Sequence, residues 1–418
     1  MTGTEILPRF KITAKGTQFL RDGQLRVYAD EITEFDETAN GSLVTVLSDK
    51  GKYLGTGFYS LNSKIRIRII SRNKNDTFDD AFWKRRFIYA WHYRKDVMQK
   101  EDLQACRIIF GEADGFPGLT VDKFQDVLVV QVLSFGIDAI KEKLIYLLIE
   151  VLQEDGEKIS GVFERNDSEL RRLEGLEEGK GWLIKKTILN EVIICENKIK
   201  YSVDFINGQK TGFFLDQKYN RRAVSSISYG KCVLDCFTHT GAFALNAVLG
   251  GAQAVTAVDV SAYALDAARK NAALNPHLNT KGKLKFIRAD VFALLTALAE
   301  NRAGTDWDAA RENGPYNMII LDPPAFVKRR EAKANGLSGY KKINANAMRI
   351  LPRGGYLASA SCSRFVSETE FLNMLFKAAQ SVNRSLRIIE RRGQAPDHPV
   401  LQDVPETDYL KFFLLQVV

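Results

Sequence analysis

The chain is poor in the residues that several function classes require. Its 418 residues include only four His and five Cys. No two cysteines have Cys-x-x-Cys spacing, and Cys232 and Cys236 lie four apart with no second cluster, so no metal site is expected. An odd cysteine count in a long chain fits reduced thiols and a cytoplasmic location better than a disulfide framework. No run approaches the roughly 18 apolar residues that a membrane span needs, so no membrane partner is expected. The opening MTGTEILPRFKIT has neither the apolar core nor the cleavage site of a secretory signal. Internal repeats, low-complexity tracts and a GxGxxG loop are also missing. The last absence leaves a dinucleotide-type phosphate cradle poorly supported.

What is present is the composition of a globular protein, with 45% apolar and 26% charged residues. At about 100–200 residues per domain, the length suggests two to four domains. The net charge of +8 is a weak pointer to a polyanionic partner. Residues 1–72 are strand-like. VTVLSDKGKYLGTGFYS reads as two strands around an Asp-Lys-Gly turn, and KIRIRII alternates with period two, which suggests a small barrel. Arg66 and Arg68 share a face of that last strand, read here as a solvated face. Residues 73–200 mix helices and strands: TFDDAFWKRRFIYAWHYRKDVM predicts a helix with Trp83, Phe87 and Trp91 as a core stripe.

Residues 201–418 alternate strand and helix at a regular pitch. KCVLDC, AVTAVD, KLKFIRAD and NMIILD are apolar runs that each end in an acid, at Asp235, Asp259, Asp290 and Asp322. A fifth run, GYLASA, leads into Ser361-Cys362-Ser363. The spacing is that of βαβ units, which predicts a parallel α/β sheet with all five strand ends on one ligand-binding edge. The closing YLKFFLLQVV reads as an edge strand. After the first run, Phe237-Thr238-His239-Thr240-Gly241 lets a small ligand approach a helix N-terminus. An acid at 259 suits ribose hydroxyls, and an acid at 290 suits an adenine amino group. Together they fit a nucleoside without a pyrophosphate, such as S-adenosylmethionine. Each acid taken alone is as well read as a capping residue; four at consecutive strand ends are not.

Asp322-Pro323-Pro324-Ala325-Phe326 follows the fourth run, and the prolines hold Asp322 at the edge. Most lone cysteines are inert core residues. Cys362, however, sits after a strand on the edge expected to bind the methyl donor. A thiolate there can add to carbon 6 of a pyrimidine and make carbon 5 a nucleophile. Asp322 can hydrogen-bond the Watson–Crick edge of cytosine.

These motifs resemble, over nearly the whole chain, the S-adenosylmethionine-dependent methyltransferases that make 5-methylcytosine in large-subunit (23S) ribosomal RNA. The resemblance rests on GEADGFPGLTVD at 111–122, VFERND at 162–167, GQKTGFFLDQ at 208–217, DPPAF at 322–326, GYKKIN at 339–344, Ser361-Cys362-Ser363 and DHPV at 397–400. A related branch that methylates guanine at nitrogen 7 lacks the Ser-Cys-Ser element. The resemblance implies a PUA β-barrel that binds RNA (1–72), a central α/β domain (73–200) and a C-terminal class I, Rossmann-like methyltransferase domain (201–418). It implies S-adenosylmethionine as cofactor, ribosomal RNA as partner, and room for a homodimer. Phe214, Gln217, Arg221, Asp235, Phe237, Thr238, Gly241, Asp259, Ser261 and Asp290 would hold the cofactor. Cys362 would be the nucleophile, with Asp322 beside it. Pro323, Phe326, Lys328, Arg329, Tyr340 and Lys341 would meet the RNA, with Tyr340 or Phe326 stacking on a flipped base. Arg391 and Arg392 are further phosphate contacts on this reading. Two rivals stay open: a guanine or exocyclic-amine methyltransferase in which Cys362 is structural, and a non-enzymatic RNA-binding assembly factor.

Overall fold

A computed structural model describes residues 7–185 and 191–418; residues 1–6 and 186–190, parts of the expected first and central regions, lie outside it. The chain divides into two compact units. The first comprises 1–194, 203–215 and 396–407, and the second comprises 195–202, 216–395 and 408–418.

The first unit holds two sheets. Six strands between Arg9–Ile12 and Ile65–Ser71 form the first. Its KIRIRII strand alternates as expected, with Ile67 and Ile69 inside a core that includes Phe10, Val44 and Val46. The solvated face expected for Arg68 is corrected: its Nη2 donates to Glu174 at 2.6 Å, and only 11% of the side chain is exposed. The second sheet has five strands, from Ala105–Phe110 to Gly179–Lys185. The helix Asp80–Val97 packs on it through Trp83, Phe87 and Trp91. Asp79 caps that helix by accepting from the Phe82 amide at 2.9 Å.

The second unit is built on seven strands: β1 (Cys232–Cys236), β2 (Ala254–Asp259), β3 (Leu284–Arg288), β4 (Met318–Leu321), β5 (Tyr356–Ser361), β6 (Leu386–Arg392) and β7 (Lys411–Val417). Their order in the sheet is β3-β2-β1-β4-β5-β7-β6. The first five are mutually parallel, as the acid-terminated runs predict. Val233, Leu234, Ile319, Ile320 and Leu357 are fully buried, the pattern of strands covered on both faces. Helices Val291–Ala299, Lys333–Ile350 and Glu368–Gln380 pack together over one face through Leu294, Ile343 and Phe371.

The expectation that the closing strand lies at an edge is corrected. β7 runs antiparallel between β5 and β6, with Ser361 opposite Lys411 and Leu386 opposite Val417, so β6 is the edge. Pairing on both sides closes the β7 backbone from water, and Phe412, Phe413, Leu414 and Leu415 are at most 1% exposed.

Candidate active site

The strand order sets the site. β1 lies between β2 and β4, where the chain reverses direction across the sheet, and ligands of such sheets bind beyond the strand ends at that point. The turns after β1, β2, β4 and β5 therefore gather there.

The turn after β1 is held in an uncommon shape. Phe237 and His239 both have left-handed φ, at 61° and 49°. Such residues cost about 1–3 kcal/mol each. The compensation is a set of fixed donors: the Thr238 amide reaches the Val258 carbonyl at 2.9 Å, and the His239 amide reaches Asp259 Oδ2 at 2.9 Å. Gly241 closes the turn at φ 76°, and a Cβ there would stand 3.0 Å from that of Ala268.

Asp235, in β1, is 1% exposed. Its Oδ2 accepts from the Thr238 hydroxyl at 2.5 Å and from the Ala244 amide at 3.0 Å. Its Oδ1 is buried with no hydrogen-bond partner among the described residues. Burial, with the like charges of Asp322 and Asp259, pushes this carboxyl up to about 7, against the pull of the Thr238 bond. Asp259, half-buried, accepts the His239 amide on one oxygen and the Ser261 amide, at 2.9 Å, on the other. Each oxygen keeps a second lone pair for a hydroxyl. Ser261 Oγ accepts from the Ala264 amide and Asp290 Oδ1 from the Ala293 amide, so both cap helices. Asp290 is exposed and lies two residues past β3.

Asp322 is half-buried just past β4, and its Oδ1 accepts from Gln217 Nε2 at 2.8 Å. Gln217 Oε1 accepts from Asn220 Nδ2 at 2.6 Å, and Asn220 Oδ1 from Arg392 Nε at 3.1 Å. Arg392 also pairs with Glu390 at 2.8 Å. The Arg392 side chain stays 34% exposed. Asn220 was not anticipated; an asparagine among basic residues carries no sequence signal of its own. Arg221, 2% exposed, spends Nε and Nη2 on Glu196 at 2.6 and 2.7 Å, so its part is to anchor the segment that carries Gln217. Phe214 belongs to the first unit and is half-buried there, with Lys210 Nζ 4.8 Å from its ring centroid.

Cys362 is half-buried in the turn after β5. β4 and β5 are neighbours, with Leu321 opposite Ser359, so the turns bearing Asp322 and Cys362 leave adjacent strands at the same end. Ser361 and Ser363 are fully buried. Ser363 Oγ lies 2.9 Å from the Tyr340 hydroxyl and accepts the Val327 amide at 3.2 Å, so it ties this turn to the DPPAF loop.

The stacking role expected for Tyr340 is corrected. The residue is 0% exposed, packed 4.5 Å centroid-to-centroid on Phe326, and it supports that loop from behind. Phe326 itself is half-buried, between Tyr340 and Phe292. Gly336 permits the close approach: a Cβ there would meet Val327 Cγ2 at 2.3 Å. Pro323 is buried, and Lys328, Arg329 and Lys341 are exposed.

The residues fit a cationic nucleoside ligand. An unsatisfied buried oxygen on Asp235 stands with the like charges of Asp259 and Asp322, and a positive ligand relieves that repulsion. Asp259 offers oriented acceptors for hydroxyls.

Comparison with known proteins agrees with this arrangement. A family model described as S-adenosylmethionine-dependent methyltransferase matches residues 171–416, and one for PUA-like domains matches residues 10–72. "Ribosomal RNA large subunit methyltransferase I" of Aliivibrio fischeri (strain ATCC 700601 / ES114) is 37% identical over 404 residues, spanning 95% of this chain and 98% of that protein. The protein of the same name in Vibrio parahaemolyticus serotype O3:K6 is 38% identical over 382 residues, 91% and 92% of the two chains. A solved structure described as a SAM-dependent methyltransferase from Streptococcus mutans superposes with a TM-score of 0.80 at 22% identity, covering 98% of this chain and 99% of its own. Another, described as a methyltransferase complexed with SAH, superposes at 0.81 and 22% identity over the same shares. At that identity the two likenesses concern the fold: a class I methyltransferase domain with an N-terminal PUA-like domain.

Proposed function

This chain belongs to the S-adenosylmethionine-dependent methyltransferases, and we propose that within them it forms 5-methylcytosine in large-subunit ribosomal RNA, with Cys362 as nucleophile. The observation that carries the reading is the placement of Cys362, half-buried in the turn after β5, next to the strand end that bears Asp322. The relatives' name supports the class of RNA.

On this reading, the chain's residues divide the work. Asp235 and Asp259 receive the cofactor's positive charge and its ribose hydroxyls, and Asp290 receives its adenine. When bound, S-adenosylmethionine supplies an electrophilic methyl group on a sulfonium. Asp322, held by Gln217, orients the Watson–Crick edge of a cytosine that has left its stack. The Cys362 thiolate forms a bond to carbon 6, and the electron pair of the 5,6 double bond moves onto carbon 5, which takes the methyl. Loss of the carbon-5 proton then restores the double bond and expels the thiolate. Phe326, backed by Tyr340, lines the base site, while Lys328, Arg329 and Lys341 meet phosphates. The division of the chain at 1–72, 73–200 and 201–418 and a cytoplasmic site of action belong to the same proposal; no helix among the described residues is long and apolar enough to cross a membrane.

The test is to map 5-methylcytosine in ribosomal RNA from cells with the gene, without it, and with the gene carrying Cys362→Ala. The reading expects one large-subunit position to lose the mark in the second and third cases. A 5-methylcytosine map that is unchanged without the gene would favour a guanine or amine methyltransferase with a structural cysteine, and a full mark with Cys362→Ala would overturn Cys362 as the nucleophile.

A further inference from the structure

We propose that Lys411 is a positioning residue for Cys362: its ammonium group fixes the Ser361–Ser363 turn and supplies the positive charge against which the sulfur reacts as a thiolate. The inference rests on the reading of Cys362 as nucleophile and adds the group that activates it.

Lys411 is out of place by composition. It opens β7, whose next four residues are Phe412, Phe413, Leu414 and Leu415, all fully buried. Lys411 itself is only 4% exposed. Taking an ammonium out of water costs several kcal/mol unless its donors and charge are met. Two donors are met: Nζ reaches the Ser363 carbonyl at 2.7 Å and the Tyr409 carbonyl at 2.8 Å. Both partners are neutral. Among the described residues no carboxylate lies within ion-pair distance of Lys411. Asp408, outside ion-pair distance, is the largest of the charges that stabilise it, ahead of Cys362 and then Glu370, which is itself paired with Lys333 at 2.5 Å.

The register then brings the cation to the sulfur. Lys411 stands opposite Ser361, one residue before Cys362, and it holds the carbonyl of Ser363, one residue after it. Cys362 is among the groups whose negative charge stabilises the ammonium. Burial pushes Lys411 down to about 8, so the cation persists at neutral pH. Tyr340 also faces Cys362, and it is raised by burial and by the Cys362 charge and therefore neutral. Asp322, in the turn after the neighbouring strand, carries a like charge that works against a thiolate, which the ammonium offsets. A buried cation with no carboxylate in ion-pair contact favours a nearby thiolate, and the same interaction lowers the cost of ionising the thiol. A lysine that merely tied two carbonyls would not need to sit where its charge reaches the nucleophile.

The experiment follows alkylation of Cys362 by iodoacetamide across pH, read by mass spectrometry of its peptide. It compares the full-length wild type with Lys411→Met and Lys411→Arg. Cys195 and Cys232 serve as internal controls. The Met variant should alkylate Cys362 about tenfold more slowly at pH 7, with its midpoint about one pH unit higher. The Arg variant should recover part of the loss. In methylation assays the Met variant should lose kcat and keep its KM for RNA. Identical alkylation profiles for wild type and the Met variant would overturn the inference. Should the Met variant not fold, the wild type alone decides: a Cys362 midpoint at or above that of an ordinary thiol, about 8.5, overturns it. Cys362→Ala is assayed alongside. If that variant still turns over, the nucleophile reading fails; if it is dead while Lys411→Met alkylates like the wild type, only the role of Lys411 fails.

Discussion

Thr238 donates its hydroxyl to one oxygen of the Asp235 carboxylate at 2.5 Å, while the other oxygen lies buried without a partner among the described residues. The asymmetry makes Asp235 a carboxylate that is costly to ionise in the absence of a cation. Its raised value of about 7 gives the sign of two effects. A carboxyl raised above its unfolded value contributes stability that is greatest below the unfolded value and is lost as pH rises toward 7. Cation binding runs the other way and strengthens as the carboxylate ionises. Asp235→Asn keeps an acceptor for Thr238 and Ala244 and removes the charge. The ligand-free variant should melt higher than wild type at pH 8, with about 2–4 °C for each kcal/mol relieved. Calorimetric titration with S-adenosylmethionine between pH 6 and 8 should show affinity that climbs with pH for the wild type and a flat profile for the variant.

Gln217 and Asn220 hold Asp322 from the second unit's own frame. Gln217→Leu removes a charge-assisted hydrogen bond of about 1.5–3 kcal/mol from Asp322 and so weakens the hold on its orientation. Turnover should fall by one to two orders of magnitude. Asn220→Ala should produce a smaller loss in the same direction. Single-turnover assays with saturating cofactor check both; unchanged rates would show that Asp322 needs no such support.

Tyr340 touches no solvent, so its hydroxyl serves the protein rather than the RNA. Tyr340→Phe deletes the hydrogen bond to Ser363, one of the two by which Ser363 ties the Cys362 turn to the DPPAF loop, and leaves the bond from the Val327 amide. The expected cost is about 1 kcal/mol of stability, with lower kcat and an unaltered KM for RNA. A KM effect without a kcat effect would place Tyr340 against the base after all.

Lys328 and Arg329 follow the DPPAF loop and Lys341 lies on the helix Lys333–Ile350, and all three are exposed. Replacing the three with Ala should weaken RNA binding across sequences alike. For every phosphate no longer neutralised, the dependence of log affinity on log salt should flatten by about 0.9. Filter binding at several salt concentrations measures that slope, and cofactor affinity should not move.

The elements that could be read ahead of the structure are those whose signal is local. Apolar runs that end in an acid announced β1 to β4, and Trp83, Phe87 and Trp91 announced a buried helix face, because strand period and helix period act over a few residues. The antiparallel insertion of β7 was hidden. FFLLQVV is equally apolar whether one or both sides are paired, and only the register with β5 and β6 decides. Tyr340 was misread because an aromatic beside two lysines looks like a nucleic-acid contact, whereas its helix turns the ring inward onto Phe326. Arg392 and Asn220 meet across 172 residues of chain, and no spacing rule reaches that far. Lys411 carried one faint signal, a single charge at the head of a run of four apolar residues, Phe412 to Leu415.

The central claim is a covalent bond between Cys362 and carbon 6 of a cytosine, and a mechanism-based trap tests it most directly. An RNA whose cytosines carry fluorine at carbon 5 can accept the sulfur and the methyl group but has no proton there to lose, so the enzyme stays attached. With S-adenosylmethionine present, the account predicts a denaturant-resistant protein–RNA adduct whose linkage maps to Cys362 and which is missing in Cys362→Ala. Methylation of ordinary RNA by the Ala variant, with no adduct from the wild type, would contradict it.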